Sequence, residues 1–170
     1  MKARNNKPAA QVSAAAQPLT VALTKASRLR APALRRMSHW AATALGRRGR
    51  GRSLSIRVVS SAESRRLNRD FRGEDHATNV LSFPALAPLL RRGGPRPLGD
   101  LAICPAVLAA EARAQCKPLL AHWAHLVVHG SLHLIDFDHT AERDARRMER
   151  REVSVLRGLG FSNPYRSVGR

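Results

Sequence analysis

A long apolar segment follows Pro118, running from Leu119 to about Ile135, and histidines interrupt it at His122, His125, His129 and His133. A further histidine, His139, follows just beyond, so this stretch holds five of the seven histidines in the chain. The length and apolar content predict a central helix, and the histidines predict that the helix does chemistry as well as packing. At about 100° per residue, His129 and His133 lie about 40° apart on one helical face, where two imidazole nitrogens can meet on one ion. His125 and His133 are separated by about 12 Å along the axis, too far to share a metal with bonds of about 2 Å. A third ligand must then come from beyond a change of chain direction. His139 meets that demand, past Asp136, a residue type that tolerates the left-handed backbone of a sharp exit.

His129, His133 and His139 thus follow the spacing H-x3-H-x5-H. Three neutral imidazoles on Zn²⁺ leave a fourth position open, which is the catalytic rather than the structural arrangement. The competing expectation is a set of satisfied histidines packed among Leu126, Val127, Leu132 and Leu134; the joint spacing of three favours the metal. His122 and His125 are expected to be supporting or surface groups. In a zinc-protease helix of the H-E-x-x-H type, the residue after the first histidine is a glutamate that serves as general base. Here that position is Gly130, which disfavours peptide hydrolysis and leaves room for a bulky substrate or a close backbone approach.

The rest of the chain alternates strand and helix patterns. Leu19, Val21 and Leu23 predict a strand at 18–25, followed by a helix at 32–45 with Pro32 in its first turn. Leu54, Ile56 and Val58 predict a second strand at 53–60. Ser60 or Ser61 can cap the next helix, with Glu63 in its first turn, Leu67 and Phe71 on a shared face, and Gly73 as its stop. Asn79–Phe83 is a short strand ended by Pro84; 85–97 is a Pro/Gly-rich loop; Leu98–Ile103 is another strand. Helices then follow from Pro105 to about Gln115, from Leu119 to about Ile135, and over about 140–158. The expected fold is α+β: a single domain with a small mixed four-stranded sheet packed against about five helices, including the central histidine-bearing helix. Residues 1–17 read as a disordered tail (an organellar transit peptide is the minority alternative), 18–165 as the domain and 166–170 as a C-terminal tail.

The 170 residues hold 30 Lys and Arg against 12 Asp and Glu, a formal charge of +18. No acidic residue precedes Glu63: residues 1–62 carry 13 basic groups, and the remainder 17 basic against 12 acidic. Such an excess excludes a neutral surface and points to a polyanion, either nucleic acid or an anionic membrane. Unbroken apolar runs fall far short of the ~18 residues that span a bilayer. The run Gly46–Arg52, GRRGRGR, reads as a flexible basic loop, solvated or touching phosphates. Cys104 and Cys116 are not arranged as a disulfide scaffold, which suits reduced thiols in a cytosolic setting.

His129-Gly130-Ser131-Leu132-His133-Leu134-Ile135-Asp136-Phe137-Asp138-His139 resembles the signature HGxLHLxGYDH of the YbeY-type endoribonucleases, the bacterial rRNA maturation factors. Leu67-Asn68-Arg69-Asp70-Phe71-Arg72-Gly73, Asp75 and Thr78–Pro84 resemble that family's LNxxYRGxDxxTNVLSFP, and Leu98–Leu101, Lys117-Pro118 and His122–His125 agree with it. The likeness covers about residues 18–165. It departs at Asp136 and Phe137, where the family prefers Gly-Tyr; Asp in a left-handed position costs about 1 kcal/mol relative to Gly.

The resemblance implies a zinc-dependent endoribonuclease that prefers single strands and acts in rRNA maturation (16S 3′-end processing) and ribosome quality control in the cytoplasm. It implies Zn²⁺ on His129, His133 and His139, and Arg72 as the key catalytic arginine. In physical terms Arg72 is either a bidentate clamp on the scissile phosphate or an ordinary ion pair with Asp70 or Asp75. Asp138 and Asp70 are candidate bases, and the nucleophile, water or a 2′-hydroxyl, stays open. Implied partners are rRNA precursors, the small ribosomal subunit and an assembly GTPase, with no membrane or DNA expected. The rivals are a zinc hydrolase of another substrate class and a non-catalytic, metal-stabilised assembly factor.

Overall fold

The computed structural model describes residues 17–86, 94–137 and 141–166. The expected tail at 1–17 therefore lies almost wholly outside the described residues, as do His139, Asp138 and most of the loop after Ala85. Four strands, β1 (Thr20–Lys25), β2 (Arg52–Val58), β3 (Val80–Pro84) and β4 (Arg96–Ile103), form one sheet in the order β1-β2-β4-β3. β1, β2 and β4 run parallel, while β3 pairs antiparallel with β4 and forms an edge. The helices are α1 (Leu34–Leu45), α2 (Ser61–Arg72), α3 (Pro105–Ala114), α4 (Leu119–His133) and α5 (Glu142–Gly158). The α+β expectation, with a mixed four-stranded sheet and five helices, holds.

Alternation along the strands sorts side chains onto two faces. Leu54, Ile56 and Val58 of β2 and Leu101 and Ile103 of β4 point into the main core. There they meet Met37, Trp40 and Ala44 of α1, Trp123, Val127 and Leu132 of α4, and Met148, Val155 and Leu156 of α5. Leu81 and Ala102 point the other way and close a smaller core with Val59, Cys104 and Leu67 of α2. Of the expected pair on α2, Leu67 joins this smaller core. Phe71 is 61% exposed and leans edge-on against Phe83, ring centres 5.1 Å apart.

Local chemistry accounts for the helix ends. Ser60 caps α2 by accepting from the Glu63 amide at 3.2 Å, and Gly73 ends it in the left-handed region at φ 77°. Pro105 opens α3. α1 begins at Leu34, two residues after Pro32, which lies in the approach rather than in the first turn. α4 stops at His133, short of the expected Ile135, because the chain turns through Leu134 and Ile135. Asp136 then takes φ 65°, and the Phe137 amide returns to the Leu132 carbonyl at 3.2 Å.

The basic segment at 46–52 is not a flexible loop. Gly46–Gly49 is a 3₁₀ turn, Gly49 is buried against Leu45, and Arg52 begins β2. Arg48 reaches the end of α4, donating to the Ile135 carbonyl at 2.6 Å and to Asp136 Oδ2 at 2.9 Å. The Arg/Gly segment and Asp136, far apart in sequence, therefore touch each other. The neighbouring Phe137 ring takes the Arg147 guanidinium at 5.0 Å.

An exposed ion pair is worth at most about 1 kcal/mol, but this one also satisfies a helix-end carbonyl. Arg48→Ala and Asp136→Gly should therefore be coupled. In urea unfolding the stability change of the double variant is expected to differ by about 0.5 kcal/mol from the sum of the two single changes, in the direction of a favourable Arg48–Asp136 contact. Simple additivity would show that the groups do not support one another.

Candidate metal and nuclease site

α4 is buried on nearly all sides, so its histidines emerge along a narrow stripe. His129 and His133 are half-buried on that stripe, with Nε2 atoms 3.1 Å apart and ring centres 4.7 Å apart. Donors on one tetrahedral ion with bonds of about 2.0–2.1 Å stand about 3.3 Å from each other. The observed approach lies within hydrogen-bond range and close to the spacing of two ligands on one ion. His139, the expected third ligand, lies outside the described residues. Asp136 takes the left-handed backbone expected there of a sharp exit.

A second donor set overlaps the first. His125, His129 and Glu152 bring one ligand atom each to within 4.8 Å of one another, a group that could hold a metal ion. Glu152 belongs to α5 and is completely buried. Its Oε1 lies 2.7 Å from His129 Nδ1, its Oε2 3.4 Å from His125 Nε2, and Oε2 also accepts from the Tyr165 hydroxyl. Burial alone would raise the Glu152 carboxyl. The hydrogen bonds from His125, His129 and Tyr165 outweigh it and hold the group at about 2. Burial and the same carboxylate push the Tyr165 phenol far above its ordinary value. A separation of 2.7 Å is a short hydrogen bond rather than the wider spacing of two ligands on one ion.

The other two helix histidines meet different carboxylates. His125 is part of the Glu152 cluster. His122 is buried and sits 2.8 Å from Glu111 Oε2, a carboxylate that also accepts from Asn79 Nδ2. Burial pulls the His122 imidazole below its usual range, and Glu111 only partly opposes it.

Arg72 is the last residue of α2 and exposed. Its expected rival role was an ion pair with Asp70 or Asp75, but both carboxylates are engaged elsewhere. Asp75 takes a bidentate hold from Arg65 at 2.6 and 2.9 Å, and that bond holds its carboxyl below the usual range. Asp70 pairs with Arg69 at 3.1 Å. Arg72 instead donates to the Ser82 carbonyl at 3.0 Å, and the Ser82 hydroxyl donates to the Gly130 carbonyl at 3.3 Å. One residue of β3 thereby ties Arg72 to the helix position next to His129. Asp138, the other candidate base, lies outside the described residues.

Gly130 does not leave room for a substrate. A Cβ there would stand 2.9 Å from Leu101 Cδ2 and 3.2 Å from Ser82 Oγ, so the glycine lets α4 lie directly on the sheet. Of the two expectations for it, the close backbone approach holds. Sequence reasoning missed Glu152 and Tyr165. The signal was present: Glu152 shares a helical stripe with Met148, Val155 and Leu156, and a carboxylate on an apolar stripe needs partners.

The profile of the family described as endoribonuclease YbeY matches residues 23–160. Endoribonuclease YbeY of Halorhodospira halophila is 47% identical over 79% of this chain and 88% of its own length. That of Alkalilimnicola ehrlichii is 54% identical over 67% of this chain and 69% of its own length. The solution structure of a Thermotoga maritima protein shares the fold at a TM-score of 0.55 and 20% identity, covering 86% of this chain and 99% of that one.

The packing at Gly130 generates a test. Gly130→Glu, which restores the zinc-protease sequence H-E-x-x-H, should drive a carboxylate into Leu101 and Ser82. A loss of at least about 3 kcal/mol in urea unfolding is expected, with no gain of casein hydrolysis. A stable, proteolytic variant would refute the packing argument.

Proposed function

The chain belongs to the endoribonuclease YbeY family, and on that premise we propose that it is a zinc-dependent endoribonuclease that cuts single-stranded RNA. The observation that carries the reading is the convergence of His129 and His133 Nε2 atoms at 3.1 Å on a helix to which an arginine is linked through Ser82. His129, His133 and His139 would hold the ion, which when bound supplies Lewis acidity toward a phosphate oxygen and toward water.

The protein's own groups supply the rest. Arg72 presents a guanidinium with one hydrogen bond to Ser82 and no carboxylate at ion-pair distance among the described residues, leaving N–H donors for a phosphate. As negative charge grows on the equatorial oxygens, a guanidinium fixed nearby offsets it without reorganising. RNA would be drawn by the basic surface through backbone phosphates, contacts that carry little sequence information. An imidazole pair with a buried carboxylate behind it, and Gly130 in place of the protease glutamate, supports phosphoryl rather than peptide chemistry. We place the activity in 16S rRNA 3′-end maturation and ribosome quality control in the cytoplasm, with the small ribosomal subunit and an assembly GTPase as partners. Among the described residues no helix is long and apolar enough to cross a membrane.

Metal analysis of the purified protein, paired with cleavage of unstructured RNA with and without chelator, tests this directly. About one zinc per chain and chelator-sensitive cleavage are expected. His133→Ala should lose both the zinc and the cleavage; a variant that cleaves fully and loses only thermal stability would make the metal structural. Arg72→Glu removes one part-buried hydrogen bond from a charged donor, so zinc content should persist and stability should fall by about 1–3 kcal/mol, while RNA cleavage disappears. Unfolding of that variant would remove the case for a catalytic arginine.

A further inference from the structure

Among the described residues Glu152 is the one buried carboxylate, and both of its oxygens have partners. Oε1 faces His129 Nδ1 at 2.7 Å; Oε2 faces His125 Nε2 at 3.4 Å and the Tyr165 hydroxyl. Its neighbours along α5, Met148, Val155 and Leu156, are all buried core residues. A carboxylate kept in such a stripe must do something that an apolar residue of similar size could not.

The consequence falls on the His129 ring. Only one nitrogen of a neutral imidazole carries hydrogen, and the hydrogen bond made by one nitrogen decides the state of the other. With Nδ1 donating to Glu152, Nε2 is the lone-pair nitrogen, and Nε2 is the atom that meets His133 Nε2 at 3.1 Å. Tyr165 comes from the segment after α5 and His125 from the preceding turn of α4, so the acceptor is itself held from two directions.

We propose that Glu152 is a positioning residue: it fixes His129 in the Nδ1–H tautomer with Nε2 presented for metal binding, and it is not itself a metal ligand. The proposal rests on the zinc reading above for its purpose, but not for its structural content. Tyr165 and His125 act through it by holding the carboxylate in place. Removing such an outer partner of a metal-bound histidine typically weakens metal affinity about 10- to 100-fold.

The first measurement uses the full chain without metal and records long-range proton–nitrogen correlations of the ¹⁵N-labelled His129 ring. A protonated Nδ1 and an unprotonated Nε2 are expected; a protonated Nε2 in the unaltered protein overturns the proposal. The second is zinc affinity by chelator competition. Glu152→Gln keeps the shape and loses the charge, and should bind zinc about 10- to 100-fold more weakly. Zinc X-ray absorption of the loaded variant should show an unchanged donor set. Affinity within twofold of the original, or loss of an oxygen ligand from the ion, overturns it.

Should Glu152→Gln fail to fold, Tyr165→Phe removes one donor to Oε2 from a half-exposed side chain. It is expected to weaken zinc binding by a smaller factor with little change in melting temperature; unchanged affinity counts against the proposal. A protein that takes up no zinc at all would sink the metal reading, while the tautomer measurement would still decide the role of Glu152.

Discussion

One helix has to satisfy two neighbours at once. α4 lies against the sheet closely enough that position 130 has no space for a Cβ, and it is also covered by α1, α3 and α5. Such a helix has few directions left in which a polar side chain can point. The imidazoles of His122, His125, His129 and His133 lie along the remaining stripe, and the first three meet a carboxylate brought by another element. His122 finds Glu111 of α3, and His125 and His129 find Glu152 of α5. Because the backbone of α4 is pinned by packing, the spacing between its side chains is set by helix geometry. That rigidity is what allows two ring nitrogens to be held about 3 Å apart.

The edge strand contributes the second half of the arrangement. β3 pairs on one side only, so its outer carbonyls are available to other groups. Ser82 uses this freedom in both directions, its carbonyl toward Arg72 and its hydroxyl toward Gly130. The guanidinium and the histidine stripe thereby share one short chain of contacts, although α2 and α4 pack on opposite faces of the sheet.

Much of this was legible in the sequence because local rules governed it. Strand alternation, the Ser60 cap, the Gly73 stop and the i, i+4 histidines each depend on neighbours a few residues away. The likeness of the two motif blocks to a known family added Arg72, which no periodicity distinguishes from the other arginines of α2. What was not legible depended on contacts across long separations in sequence. The Gly46–Arg52 run has the composition of a mobile loop, and only the end of α4, 87 residues away, explains why Arg48 is held. Glu152 looked like one more charge on a charged helix until its stripe was seen to face His129. Phe71 has the spacing of a core residue, but it sits where the small core runs out, and it lies largely in solvent.

The contact between Arg48 and the turn at Asp136 carries an evolutionary consequence. An aspartate in a left-handed position is a local liability, and an arginine from a distant segment offsets part of it. A substitution at either position changes the setting in which the other residue is tolerated. A homologous exchange that imported a plain glycine turn would leave Arg48 with only a carbonyl to hold, and one that shortened the Arg/Gly segment would leave the left-handed aspartate without its arginine.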